Sequence, residues 1–285
     1  MIDENNNTDN VADNNTSDNT ASVENMDTAD AVSFSGGNVS IDEIEIEGAS
    51  FSFKCFSLKI EDMAKAFEML GQNCTLFDPY SDVPGFFQCD CNGGLIRGSY
   101  GMMYKWEPEQ WIDGISTKVM LKRIESCNFM ITPLRVYVWG KSGPSKLLAD
   151  ALSGALGERV EKIEFDQPIM EQVRTRLGTI KAIVIENQKN NPLRRARLSG
   201  EMEEYESYGV CVAHEYEINS VAGIAETPLG AIKLTVDKKG TIRLGVKKGL
   251  VVNVDNLDWI IDYITADVAP EIRTLIGGAS ENPPF

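Results

Sequence analysis

Histidine is nearly absent from this chain: His214 is the only one in 285 residues. Histidine-based zinc sets and nucleophile–histidine relays therefore lack their partners, and a lone His among apolar neighbours reads as a hydrogen-bonded core residue. Cysteine is scarce and scattered, at Cys55, Cys74, Cys89, Cys91, Cys127 and Cys211. No Cys-x-x-Cys knuckle occurs, so these residues read as small, reduced, buried side chains. Cys89 and Cys91 would share a strand face, but a zinc ion needs two further ligands. No metal and no cofactor is expected.

Other absences narrow the field further. Gly140-Lys141-Ser142 follows a strand and precedes a helix, as a phosphate loop does, but Arg135 stands where that motif requires its first glycine. Without that glycine the backbone amides cannot wrap a phosphate, and the three residues read as a helix start capped by Ser142 or Ser145. No run of 18 apolar residues occurs, and Met1-Ile-Asp-Glu4 has neither a basic nor an apolar signal region. The expectation is a cytoplasmic protein with no transmembrane segment and no membrane partner.

Positive charge is missing from the first 47 residues, which hold 12 of the 43 acidic groups and none of the 27 Lys and Arg. The net charge of -16 is therefore largely a property of one end, since the rest of the chain carries 31 acids against 27 bases. Residues 1–40, dense in Asn, Asp, Thr and Ser, have too little apolar surface to repay ordering and read as a disordered acidic tail.

Periodicity organises the remainder. Residues 41–46 and 50–58 alternate as strands, and 60–70 has helical spacing ended by Gly71. Strands are predicted over 94–106 and 111–124. In the first of these, Tyr100, Met102, Tyr104 and Trp106 share a face that reads as core in preference to a base-stacking row. From Leu134 the order is strand, helix, strand, helix, strand, with Gly157 and Gly178 as stops and Pro168 opening the second helix. Residues 208–218 alternate again, and 231–236 and 241–246 flank a turn at Asp237-Lys-Lys-Gly240. A helix capped by Asp255 runs to Ile264. The expected fold is α+β, a mainly antiparallel sheet with about four helices packed on one face. Its parts are the tail (1–40), a β-rich subdomain with one helix (41–133), an α/β subdomain ending in a basic hairpin and a helix (134–265), and a C-terminal tail (266–285).

Two basic stretches carry the functional reading. Residues 170–199 hold seven Lys and Arg against two acids, and 231–250 hold six against one. Within 189–197 the candidates are Arg194, Arg195 and Arg197; within 233–248 they are Lys233, Lys238, Lys239, Arg243 and Lys247. One-sided cationic ribbons track a phosphate backbone without reading sequence, which points to a non-catalytic binding or regulatory protein with DNA or RNA as partner. The competing reading is a solvated face, partly neutralised by the seven acids of residues 200–227, on a module whose partner is an unidentified protein. Glu215 and Glu217 share a face but show no sign of a perturbed pair, and an enzyme ranks last. If the acidic tail competes with nucleic acid for the basic stretches, deleting residues 1–40 raises the salt concentration needed to elute the protein from immobilised DNA or RNA. Negligible retention of both forms would remove the nucleic-acid reading.

Overall fold

A computed structural model describes residues 40–112, 115–187, 195–200, 216–268 and 270. Its strands are β1 (Glu43–Glu45), β2 (Ser50–Ser57), β3 (Gly85–Asn92), β4 (Leu95–Trp106), β5 (Glu109–Ile112), β6 (Ile115–Lys118), β7 (Leu121–Ile131), β8 (Arg135–Gly140), β9 (Glu161–Lys162), β10 (Thr179–Glu186), β11 (Arg195–Ser199), β12 (Glu217–Thr227), β13 (Gly230–Asp237), β14 (Thr241–Gly245) and β15 (Val251–Asn253). The described helices are α1 (Met63–Asn73), α2 (Ser142–Leu156), α3 (Gln167–Arg176) and α4 (Val254–Thr265). Eleven strands form one sheet in the order β11-β10-β12-β13-β14-β2-β8-β7-β4-β3, with β9 attached to β2. Its strand pairs are antiparallel, so the fold is the expected α+β type with a large, mainly antiparallel sheet.

The helices do not share a face, contrary to expectation: they divide two and two. On β2, Phe51, Phe53 and Cys55 point into one core with α3 and α4, whereas Phe56, and Leu58 just past the strand, join the other core with α1 and α2. β8 and β7 repeat the division, with Tyr137 and Met130 on the α3/α4 side and Val136, Val138, Phe129 and Ile131 on the α1/α2 side. Strands that are apolar in both phases of the alternation must be covered on both faces, and one layer of helices cannot do that. We call the α3/α4 side the front and the α1/α2 side the back. β2 is also the junction of the sheet, bonded to β14 along Ser50–Lys54 and to β8 along Phe53–Ser57. A strand from before position 134 thus lies between two that come after it.

Local expectations were met unevenly. Gly157 closes α2 in the left-handed region (φ 70) and Asp166 caps α3 by accepting from the Ile169 amide, with Pro168 in the first turn. Gly71 does not stop α1, because it keeps right-handed φ and the helix runs on to Asn73. Lys141, and neither serine, occupies the N-cap of α2, without a side-chain bond to the free amides. The α4 cap is Asn253 in a reciprocal capping box with Asn256, and Asp255 lies in the first turn. Residues 111–124 are not one strand: the β5–β6 hairpin intervenes before β7. Tyr100 enters the back core, but Tyr104, two positions along the same row, is 40% exposed on the projecting end of β4. The acidic tail, Cys211, His214 and Glu215 lie outside the described residues.

A polar clamp fixes α4 to the front of β8. The Arg135 guanidinium donates to Asp258 at 2.7 Å and to Asp262 at 2.6 Å, one helical turn apart on α4. Burial works against the Arg135 charge, yet the two carboxylates hold its pKa above the ordinary arginine value. The Tyr137 hydroxyl donates to Asp258 as well. The turn between β13 and β14 is held by Gly240, whose amide donates to Asp237 O and whose φ is +75. A Cβ there would stand 1.9 Å from the Ile163 carbonyl oxygen. Gly240→Ala therefore combines strain with a backbone clash and is expected to cost about 2 kcal/mol or more. A lower urea midpoint with an unchanged m-value would verify this; an unaltered midpoint would mean that the turn yields freely.

Candidate nucleic-acid interface

Strand pairing decides which cationic side chains share a surface. Lys233 pairs with Gly245 and Thr235 with Arg243, so Lys233 and Arg243 are diagonal neighbours on one face of the β13–β14 hairpin. Arg243 lies opposite Ser52 of β2, to whose Oγ its Nε donates at 2.9 Å. Lys54, two residues along β2, lies opposite Thr241 on the same face. This is the back of the sheet, because Lys54 alternates in phase with Phe56. On the other side of the hairpin, Asp237 pairs with Ser220, Ser220 with Val184, and Val184 with Arg197. Arg197 and Arg195 therefore also belong to the back.

The two predicted stretches thus share a face without touching. Neighbouring strands are spaced by about 4.8 Å, which puts β11 about 14 Å from β13 and about 19 Å from β14. Between these cationic margins β10 and β12 present Val184, Ala182, Ser220 and Ala222, while Glu186, opposite Arg195, and Asp237, opposite Ser220, are acids in the same phase. Among the described residues, α1 and α2 cover only the β8, β7 and β4 half of the back, and no helix covers the β10–β14 half.

Individual residues contribute unequally. Arg197, Lys233 and Arg243 are exposed and form no ion pair with a described carboxylate. Arg195 stands 3.7 Å from Glu186. Lys238 is bound to Glu217 at 2.5 Å and is half-buried, so the charge of this turn residue is largely matched. Lys239 is exposed at the turn, and Lys247 is exposed beyond the end of β14. Arg194 lies outside the described residues.

Three lysines on this face escaped the sequence reading. Lys54 comes from β2, Lys162 from β9, opposite Phe56, and Lys146 from the first turns of α2. The signal was present in Ser52 and Lys54, the polar phase of a strand whose apolar phase was taken as the whole message. Burial lowers the Lys54 pKa, and the neighbouring Lys162 and Lys146 lower it further. Its Nζ donates to the buried Ser145 Oγ at 3.3 Å.

No protein-family model matches the chain, and no curated protein aligns with it significantly. The site therefore stands on its own chemistry.

Other reactive groups are quiet. Cys89 lines a groove of about 210 Å³ with Phe67, Leu70, Cys74 and Phe86. Burial pushes its thiol up to about 12, leaving it protonated, and poorly nucleophilic, near neutral pH. Glu217 is engaged with Lys238. No cluster of three or more His, Cys, Asp or Glu suited to a metal ion occurs among the described residues, and no described helix is long and apolar enough to cross a membrane.

The lowered Lys54 pKa has a signed consequence for stability. Between its folded value and the ordinary 10.5, the unfolded chain binds the proton more tightly, so this group's contribution to stability rises with pH across that window. Lys54→Met should be more stable than the parent at pH 7, and the gap should narrow as pH approaches 10.5. Thermal unfolding of both proteins across that range tests this, and a gap that widens would show that the lysine is not disfavoured by folding.

Proposed function

We propose that the chain is a non-catalytic nucleic-acid-associated factor whose back sheet face, over β10 to β14, lies against a phosphate backbone without reading its sequence. The observation that carries this reading is the registration of Arg197, Lys233, Arg243 and Lys54 on one face of the sheet that no described helix covers. Backbone binding needs cations on one surface, free of internal carboxylates, and it needs no groove-reading element. The width of about 19 Å between the margins suits an extended polyanion that touches both, not a single small ion. The small side chains of Ser220 and Ala222 between them let a backbone pass without sequence preference.

Replacing Arg197, Lys233 and Arg243 together by Ala is expected to weaken binding to oligonucleotides of every sequence alike. The dependence of log K on log salt should become shallower by about two to three units, one for each lost phosphate contact. Equal salt slopes for parent and variant, measured by fluorescence anisotropy, would refute the assignment of this face.

A second reading rests on the projecting β4–β7 arm. Trp111 is 74% exposed at its tip, Met120 55%, and Ile124 42%. The Arg123 guanidinium lies over the rings of Tyr104 and Trp106, at 5.0 and 5.4 Å. Exposed aromatic and apolar side chains at this density suit a protein partner. Under that reading, nuclease-resistant association with a partner is lost in Trp111→Ala and kept in the triple cation variant.

A further inference from the structure

The two halves of the back face meet at a step. α2 lies on the β8, β7 and β4 half, and its first turns end above β2, where the open β14 and β13 surface begins. In that corner Lys54 rises from β2 between Val138 and Thr241, and its ammonium reaches the Ser145 hydroxyl of α2. Lys162 stands beside it, two positions along the same face, and Lys146 adjoins Ser145.

This arrangement is costly in isolation. The ammonium groups of Lys162 and Lys146, from two other elements, both repel that of Lys54, which is partly withdrawn from water. Neither Lys54 nor Lys146 forms an ion pair with a described carboxylate, and Lys162 has only the exposed Glu164, at 3.4 Å. The Cys127 thiol is the one nearby group that favours the Lys54 charge, and burial holds that thiol's own pKa up at about 12, so near neutrality it supplies no anion. The Ser145 hydroxyl donates to the Ser142 carbonyl at 3.2 Å, so it accepts from Lys54 without neutralising it. Lys141, the N-cap of α2, makes no side-chain bond to the first-turn amides, and the buried Glu125 carboxylate lies beside Gly143 there, so the anion-attracting charge of this corner comes from the lysines.

We propose that this corner is a phosphate-binding pocket, with the Lys54 ammonium as its anchor and Lys146 and Lys162 as flanking cations. A phosphate group fits where a carboxylate does not, since its several oxygens accept from separated point charges in different directions. Its charge offsets the repulsion of Lys54 by Lys146 and Lys162. The source of the group is a phosphate of the nucleic acid lying on the adjoining open face, and to that extent the inference rests on the proposed function. A small phosphorylated molecule presents the same chemistry, and the experiment separates the two.

Full-length parent, Lys54→Met, Lys146→Met/Lys162→Met and, as a control away from the corner, Lys65→Met are titrated with inorganic phosphate against chloride at matched ionic strength, then with an oligonucleotide. Phosphate at tenfold excess over its Kd should raise the parent and control unfolding midpoints by about 3 °C or more. That rise should vanish in Lys54→Met, whose unfolding midpoint without phosphate is expected to match or exceed the parent's, and shrink in the double variant. Oligonucleotide affinity should fall at least about fivefold in Lys54→Met, on the scale of one lost charge-assisted contact. A phosphate shift without any oligonucleotide binding would keep the pocket for small phosphorylated molecules and overturn the nucleic-acid reading. Oligonucleotide binding that Lys54→Met leaves unchanged, with no phosphate shift in the parent, would overturn the pocket and leave that reading in place.

Discussion

The structure depends on β2 being hydrogen-bonded along both edges. Its first half pairs with β14 and its second with β8, and the overlap at Phe53 and Lys54 joins the two runs of strands into one sheet. Because side chains alternate, the same eight residues send Phe51, Phe53 and Cys55 forward and Phe56 backward. One strand therefore seeds both cores. Each aromatic ring buried there contributes about 2–3 kcal/mol.

The diagonal arrangement of helices follows from that junction and creates the candidate site. α3 and α4 close the front, and α1 and α2 close the back of the other half. The back of β10 to β14 is left without a described helix, and its polar phase carries Lys54, Lys233, Arg243 and Arg197. The Arg135 clamp to Asp258 and Asp262 serves a different purpose, since its charge is answered within the fold. The contrast between the two kinds of cation separates structural charge from available charge. Lys54 belongs to the second kind despite its burial: its only polar partner shown is a hydroxyl.

Much of the secondary structure was legible because it rests on local rules. The β13–β14 hairpin, the stop at Gly157 and the entry to α3 depend on turn chemistry and capping within a few residues. Where a local cue had competitors, it misled. Gly71 is permissive, not obligatory, as a stop, and Asn253 with Asn256 makes two reciprocal bonds where Asp255 as cap would make one. Reading 111–124 as one strand passes over Asp113-Gly114, a dipeptide that favours a two-residue hairpin turn, at the place where β5 gives way to β6.

The sequence by itself determined the charge layout, the antiparallel character of the sheet and the outward phase of Lys233 and Arg243, because composition and alternation are properties of neighbouring residues. Only the tertiary structure decided that strands distant in the chain would share a face, that Lys238 would be spent on Glu217, and that Lys54 would join Lys146 and Lys162 in one corner. Strand order is the reason. Which strands become neighbours is settled by how two-sided apolar strands find cover, and no single segment encodes that choice.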